Sequence, residues 1–249
     1  MTKYVYSKVG RQGLCNMLYP WARALCFARD HSCQMIAPSW TSLMKVGPWI
    51  RGERDKRYYL GQFTNDGYIS GVRKWTTLAF CKDEVRIFSG KKELFDPIRN
   101  DAKFIRDELL RIANPAIRQA VETLPSDFVG VHIRQGDFVN IGFALSQGYY
   151  LRAIDIALER AGRNTPILVF SDGKDEDLRY LRRYENLRIM RSQYALQDML
   201  SLSKAKILVA TNRSTFSGWA NFLGGMPSLW SRDGELPSES IGICKYELV

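Results

Sequence analysis

Long apolar runs are missing from this chain of 249 residues, and histidine and cysteine are sparse. With no run of 18 apolar residues, nothing in the sequence reads as a membrane-spanning helix. The opening Met1-Thr2-Lys3-Tyr4-Val5-Tyr6-Ser7-Lys8 lacks the apolar segment of a secretory signal, which sets the expectation of a cytoplasmic protein. The two histidines are too few for a His-rich metal centre. The five cysteines (Cys15, Cys26, Cys33, Cys81, Cys244) form neither a C-x-x-C nor a zinc spacing, and their scatter fits reduced thiols. No G-x-G-x-x-G occurs, so the dinucleotide fingerprint is absent too. Internal repeats and low-complexity segments are lacking as well.

What is present is ample apolar and aromatic material for a packed core, and a net charge of +10. That charge favours an anionic partner: a phosphorylated small molecule, a nucleic acid or an acidic membrane surface. It is densest at Arg179, Arg182, Arg183, Arg188 and Arg191, the first three sharing one face if helical. The basic residues are not interleaved with an RNA or DNA motif, so no nucleic-acid partner is expected. Peripheral contact with the inner face of a membrane is a further expectation from the charge.

In chain order, residues 3–9 form a first strand and Gly10 to Asn16 the loop after it. A helix follows to about Asp30, with Leu18, Trp21, Leu25 and Ala28 as its apolar stripe and Pro20 tolerable only in a first turn. Residues 33–37 make a second strand, 38–80 show no period, and 85–88 make another strand. Helices cover 101–112 and, opened by Asn114-Pro115, a stretch to about Thr123. Leu124-Pro125-Ser126 marks the boundary between a domain 1–124 and a domain 125–249. In the second, strands at 129–133, 166–170, 187–190, 207–210 and 228–230 alternate with helices at 148–162, from 174 to about Tyr184, at 195–203 and at 216–223. That rhythm predicts an α/β fold whose C-terminal domain is a doubly wound parallel sheet.

The stretch Asp127 to Asp137 organises the rest. Val129, Val131 and Ile133 alternate with Gly130, His132 and Arg134, a strand pattern that buries the three β-branched residues on one face. It aims His132 and Arg134 to one side, about 7 Å apart by strand geometry. Gln135-Gly136 reads as a turn, with Asp137 just past it. Ser171 and Asp172 end the next strand, and Ser214, Thr215 and Ser217 end a later one. In open α/β sheets, ligands bind at those C-terminal strand ends. Arg134 can fork onto phosphate oxygens, and Ser214 and Thr215 at a helix start add donors, which together suit a diphosphate. Asp172 suits a base edge with two donors, such as guanine, or equally a helix cap. Ser214 and Thr215 have the same capping alternative. Asp175-Glu176-Asp177 holds a D-x-D, but in a first helical turn it reads as capping rather than as a metal site.

Four of these stretches resemble the α-1,2-fucosyltransferases, glycosyltransferase family 11. His132-Ile133-Arg134-Gln135-Gly136-Asp137-Phe138 looks like that family's H-x-R-R-G-D-Y, and Gly13-Leu14-Cys15-Asn16-Met17 like its G-L-G-N-Q-M. Phe170-Ser171-Asp172 is similar to its F-S-D, and Ser214-Thr215-Phe216-Ser217-Gly218-Trp219 to its S-T-F-S-W-W. Gln135, Cys15, Arg213 and Gly218 depart from the pattern. The resemblance implies a GT-B-like pair of Rossmann-like domains, the first on the acceptor side and the second holding the nucleotide sugar. It implies an inverting, metal-independent transfer from GDP-fucose to an oligosaccharide or lipid-linked glycan, with no cofactor. The donor would meet Asn16, His132, Arg134, Ser171, Asp172, Ser214, Thr215 and Phe216, with Arg134 on the leaving group and Asp137 as base. A transferase of another GDP-sugar, or a polyanion-binding protein, is the alternative.

Overall fold

The computed structural model describes residues 2–10, 12–40, 59, 61–232 and 236–241; for Asp137, Arg232 and 236–241 it describes the backbone only. The chain divides into two compact units, and the division falls between Gln119 and Ala120.

The N-terminal unit contains β1 (Tyr4–Lys8), α1 (Leu14–Asp30), β2 (Gln34–Ile36), α2 (Gly71–Phe80), β3 (Val85–Ser89) and α3 (Ala102–Ile112). Its sheet has the order β2-β1-β3, all parallel. Leu18, Trp21, Leu25 and Ala28 are buried along α1 as their spacing predicts. Pro20 departs from expectation, for it lies inside the helix and not in a first turn. Having no N–H, it leaves the Asn16 carbonyl without its helical donor. The aperiodic region 38–80 hides α2, while 41–58 and 60 lie outside the described residues. Then α4 (Pro115–Glu122) starts as expected, with Asn114 Oδ1 accepting from the Ala116 N–H at 2.9 Å.

The C-terminal unit continues with β4 (Val129–Ile133), α5 (Gly136–Asn140), α6 (Gln147–Ala161), β5 (Ile167–Ser171) and β6 (Leu187–Met190). It closes with α7 (Ala195–Leu202), β7 (Ile207–Val209), α8 (Thr215–Gly224), β8 (Pro227–Arg232) and β9 (Leu236–Ile241). The sheet order is β6-β5-β4-β7-β8-β9. Relabelled from β4, this is 3-2-1-4-5-6, the doubly wound order. All neighbours are parallel except β8 and β9. The antiparallel β9 is an addition to the fully parallel sheet that the sequence predicts.

Being central, β4 is buried on both faces, so Gly130 and His132 are buried along with the three β-branched residues that the alternation predicts. Val129, Val131 and Ile133 pack with Val169, Val209 and the Tyr149, Ala153 and Ala157 side of α6. On the other face, Leu168, Phe170 and Leu208 meet Leu202 of α7, Ala220 of α8 and Trp230. Each such side chain contributes about 1.5–3 kcal/mol on full burial. Gly130 lets α7 come close: a Cβ there would lie 2.7 Å from Ala205 Cβ and 2.9 Å from Leu202 Cδ1.

Two local expectations fail. The helix expected from 174 to Tyr184 is a series of turns ending in a 3-10 helix, Arg179–Arg183. Gly136 starts the short α5 instead of completing a turn. Among the described residues, no helix is long and apolar enough to cross a membrane.

Candidate active site

The strand order reverses between β4 and β7: from β4 the chain moves to β5, and from β7 it moves the opposite way to β8. In a parallel sheet such a switch point opens a crevice at the C-terminal strand ends. Here the two loops at that point are fastened by one hydroxyl. Thr211 Oγ1 donates to the His132 carbonyl at 2.7 Å and accepts from the Arg134 N–H at 3.2 Å. Tyr150 of α6 lies 2.8 Å from the same oxygen. Thr211 has one proton, already given to His132, so Tyr150 is the donor. Burial raises the Tyr150 phenol above its ordinary pKa, which keeps that proton in place.

His132 is 5% exposed, so it belongs to the wall of the crevice. Its Nδ1 lies 2.7 Å from Ser217 Oγ, which also accepts from the Thr211 N–H at 3.1 Å. A buried hydroxyl proton without an acceptor is costly. Ser217 therefore donates to Nδ1, which puts the imidazole proton on Nε2. The ring also stacks on Phe216, centroids 4.8 Å apart.

Arg134 follows the strand, and its Nη1 lies 2.8 Å from Asp172 Oδ2, the side chains 27% and 21% exposed. Asp172 Oδ1 accepts from the Gln135 N–H at 2.7 Å. Both carboxylate oxygens thus hold the Arg134 turn, and the helix that Asp172 could have capped does not form. Gly136 leaves them room, because a Cβ there would approach Asp172 Oδ2 to 2.6 Å and the carboxylate would have to shift. Ser171 Oγ accepts from the Gly173 N–H at 3.0 Å. The whole turn is clamped by Arg191, which donates to the Ser171 and Gly173 carbonyls at 3.3 Å each and pairs with Asp175. Asp177 accepts from the Lys174 N–H at 3.0 Å, so the D-x-D is part of a turn and not of a helix start.

On the β7 side, Ser214 occupies the N-cap position of α8 but makes no side-chain cap bond, and it is 4% exposed. Thr215 and Phe216 open the helix, whose first N–H groups have no intrahelical acceptor. Before them, Arg213 takes a left-handed φ of 56° and stacks over Phe143 at 4.3 Å. The backbone there favours asparagine or glycine, so holding arginine in it costs about 1 kcal/mol or more.

The topology thus gathers His132, Arg134, Ser171, Asp172, Ser214, Thr215 and Phe216 at one edge of one sheet. Asp137 is the residue after Gly136 in α5; its side chain is outside the described residues. Asn16 belongs to the N-terminal unit, near the start of α1, where its Oδ1 is buried without a hydrogen-bond partner among the described residues. Thr211, Tyr150 and Arg191 join the site without any signal in the sequence pattern. Among the described residues, no three of His, Cys, Asp and Glu group as metal ligands would.

Among curated proteins, none matches the chain by sequence. Solved structures do resemble it in fold. The fucosyltransferase NodZ from Bradyrhizobium has a TM-score of 0.62 at 13% identity, covering 97% of this chain and 99% of its own. POFUT1 in complex with GDP has a TM-score of 0.57 at 15% identity, covering 92% and 98%. NodZ, as an α-1,6-fucosyltransferase soaked with GDP-fucose, matches at 0.58 and 13%, covering 97% and 100%. The fold is thus the GT-B-like one. The family model for glycosyl transferase family 11 matches residues 92–230, more than half of the chain and all of the strand ends just described, so the chain belongs to glycosyl transferase family 11, the fucosyltransferase family that its motifs resemble.

Proposed function

We propose that the protein moves L-fucose from GDP-fucose to a sugar hydroxyl of a glycan, with inversion, in α-1,2 linkage and without a metal. The observation that carries this reading is the pairing, at one switch point, of a held guanidinium and an uncapped helix start. Arg134 is fixed from one side by Asp172, and α8 begins without a side-chain cap, with the Ser214 hydroxyl at its start. A permanent cation and a helix N-terminus are both suited to a diphosphate. NodZ soaked with GDP-fucose and POFUT1 in complex with GDP-fucose have this fold, which supports the choice of donor.

In the reaction, the acceptor hydroxyl gives its proton to a carboxylate while its oxygen attacks the anomeric carbon. The bond from that carbon to the diphosphate breaks, and GDP departs with the electron pair. Arg134, Ser214, Thr215 and the α8 N–H groups stabilise the charge that develops there. Asp137 is the base, and Asn16 is a further donor-binding residue. His132, stacked on Phe216 with its proton on Nε2, borders the nucleotide, and Ser171 and Asp172 shape the turn that presents Arg134. The acceptor is an oligosaccharide or lipid-linked glycan, and the reduced thiols of Cys26, Cys33 and Cys81 suit work in a cytoplasm.

The test is release of GDP from GDP-fucose in the presence of glycan acceptors. Arg134→Ala, shown to be folded by circular dichroism, should lose about 10²–10³ in turnover. Near wild-type rates would remove Arg134 from the diphosphate. Analysis of the product's linkage should give α-1,2; another linkage would correct the acceptor geometry and leave the donor standing.

A further inference from the structure

Helix α2 is built inside out. Val72, Trp75, Thr76, Ala79 and Phe80 stand at i, i+3, i+4, i+7 and i+8, the spacing by which a surface helix normally turns an apolar stripe to its core. In this chain all five are exposed, Val72 at 79%, Trp75 at 63% and Phe80 at 86%. The buried positions are Lys74 and Thr77. Lys74 Nζ donates to Ser39 Oγ at 2.9 Å and lies 5.4 Å from the Tyr6 ring, which sets α2 over the Tyr6 face of the β2-β1-β3 sheet. Tyr6 pairs in register with Ile87, so the two share that face, and Ile87 is 58% exposed. Parallel sheets are normally covered on both faces. Among the described residues, this one leaves Ile87 exposed beside a helix whose own apolar stripe points outward.

The charge around this stripe has one prevailing sign. Arg73 and Lys82 are exposed at its two ends, and Glu84 is already paired with Lys3 at 2.8 Å. Asp83 is the one further acid on the adjoining turn, in a chain of net charge +10. Tryptophan and phenylalanine on one side of a helix with basic residues at its margins is the chemistry of an interfacial helix, which seats its rings at the headgroup level of an anionic bilayer.

The geometry points to α2 and the neighbouring Ile87 as a membrane-docking surface for anionic lipid. The helix lies in the interface plane, with Trp75 and Phe80 inserted and Arg73 and Lys82 on the headgroups.

Flotation with phosphatidylcholine vesicles, with and without phosphatidylglycerol, tests the proposal independently of the donor. The wild-type chain should float with the anionic vesicles and only weakly with the neutral ones. The double variant Trp75→Ser, Phe80→Ser should bind about tenfold or more weakly. Both positions are exposed, so its fold should be intact by circular dichroism and its turnover of soluble substrates unchanged. Failure of the wild-type chain to bind anionic vesicles would overturn the proposal. So would equal binding by the variant, because cations elsewhere would then carry it. Analytical ultracentrifugation supplies the last outcome: a wild-type dimer that the double variant dissolves would assign the face to a second copy of the chain instead.

Discussion

Replacing Asp172 with asparagine separates two roles that one carboxylate could have at the switch point. An amide keeps an oxygen for the Gln135 N–H but removes the negative charge that faces Arg134 at 2.8 Å. A hydrogen bond to a charged group contributes about 1.5–3 kcal/mol net. The side chains are 27% and 21% exposed, so solvent screening lowers this to about 1–2 kcal/mol. If Asp172 acts by aiming Arg134, kcat/KM for GDP release should fall about 5- to 30-fold, at 1.4 kcal/mol per tenfold. The decisive measurement is the double-mutant cycle. In an Arg134→Ala background the guanidinium is gone, and Asp172→Asn should add less than about twofold. Fully additive losses would refute the reasoning, because Asp172 would then touch the donor itself, as a reader of the guanine edge.

Other consequences are simpler to check. Ser217→Ala leaves both His132 Nδ1 and the Thr211 N–H without their buried partner, and should cost about 1–3 kcal/mol in urea unfolding. Gly130→Ala drives a methyl group into Ala205 and Leu202, and should cost about 1–3 kcal/mol with little change in KM. Burial holds the Lys74 amine below its usual pKa of 10.5. The unfolded chain therefore keeps that proton to higher pH than the folded one, and stability gains a rising contribution between the folded pKa and about 10.5. Lys74→Met should flatten that rise, seen as a smaller change in urea midpoint from neutral pH to the upper end of that window.

Much of the fold is legible in the sequence where burial has a simple period. The alternation at 129–133 and the apolar run at 166–170 mark β4 and β5, and the Asn114-Pro115 signal marks the start of α4. The failures have physical causes. The alternation in β4 gives the burial of Val129, Val131 and Ile133 but not that of Gly130 and His132, which follows from the strand's central place in a parallel sheet. In α2 the apolar stripe faces solvent, and its two threonines and a tryptophan weaken the helical signal. The stretch after Asp172 is rich in aspartate, whose side chain competes for backbone N–H groups, as Asp177 does with Lys174. The polar Leu236–Ile241 carries no strand pattern, because it is ordered as an antiparallel edge against β8.

The candidate site divides along the same line. His132, Arg134, Asp172 and Ser214 follow strands, so topology alone brings them to one edge. Tyr150 is indistinguishable in sequence from a core residue of α6, and only the fold places its hydroxyl on Thr211. Arg191 reads as one of a run of surface cations, yet it clamps the Ser171 to Asp175 turn from the far end of β6. Ser217 has no special position until its hydroxyl is seen between His132 and Thr211.

Calorimetric titration of the chain with GDP, UDP, CDP and GDP-fucose, each with and without EDTA, addresses the donor directly. Binding confined to GDP and GDP-fucose and indifferent to EDTA is the result that a metal-independent GDP-fucose site predicts. Preference for UDP or CDP, loss of binding in EDTA, or no nucleotide binding at all would contradict it.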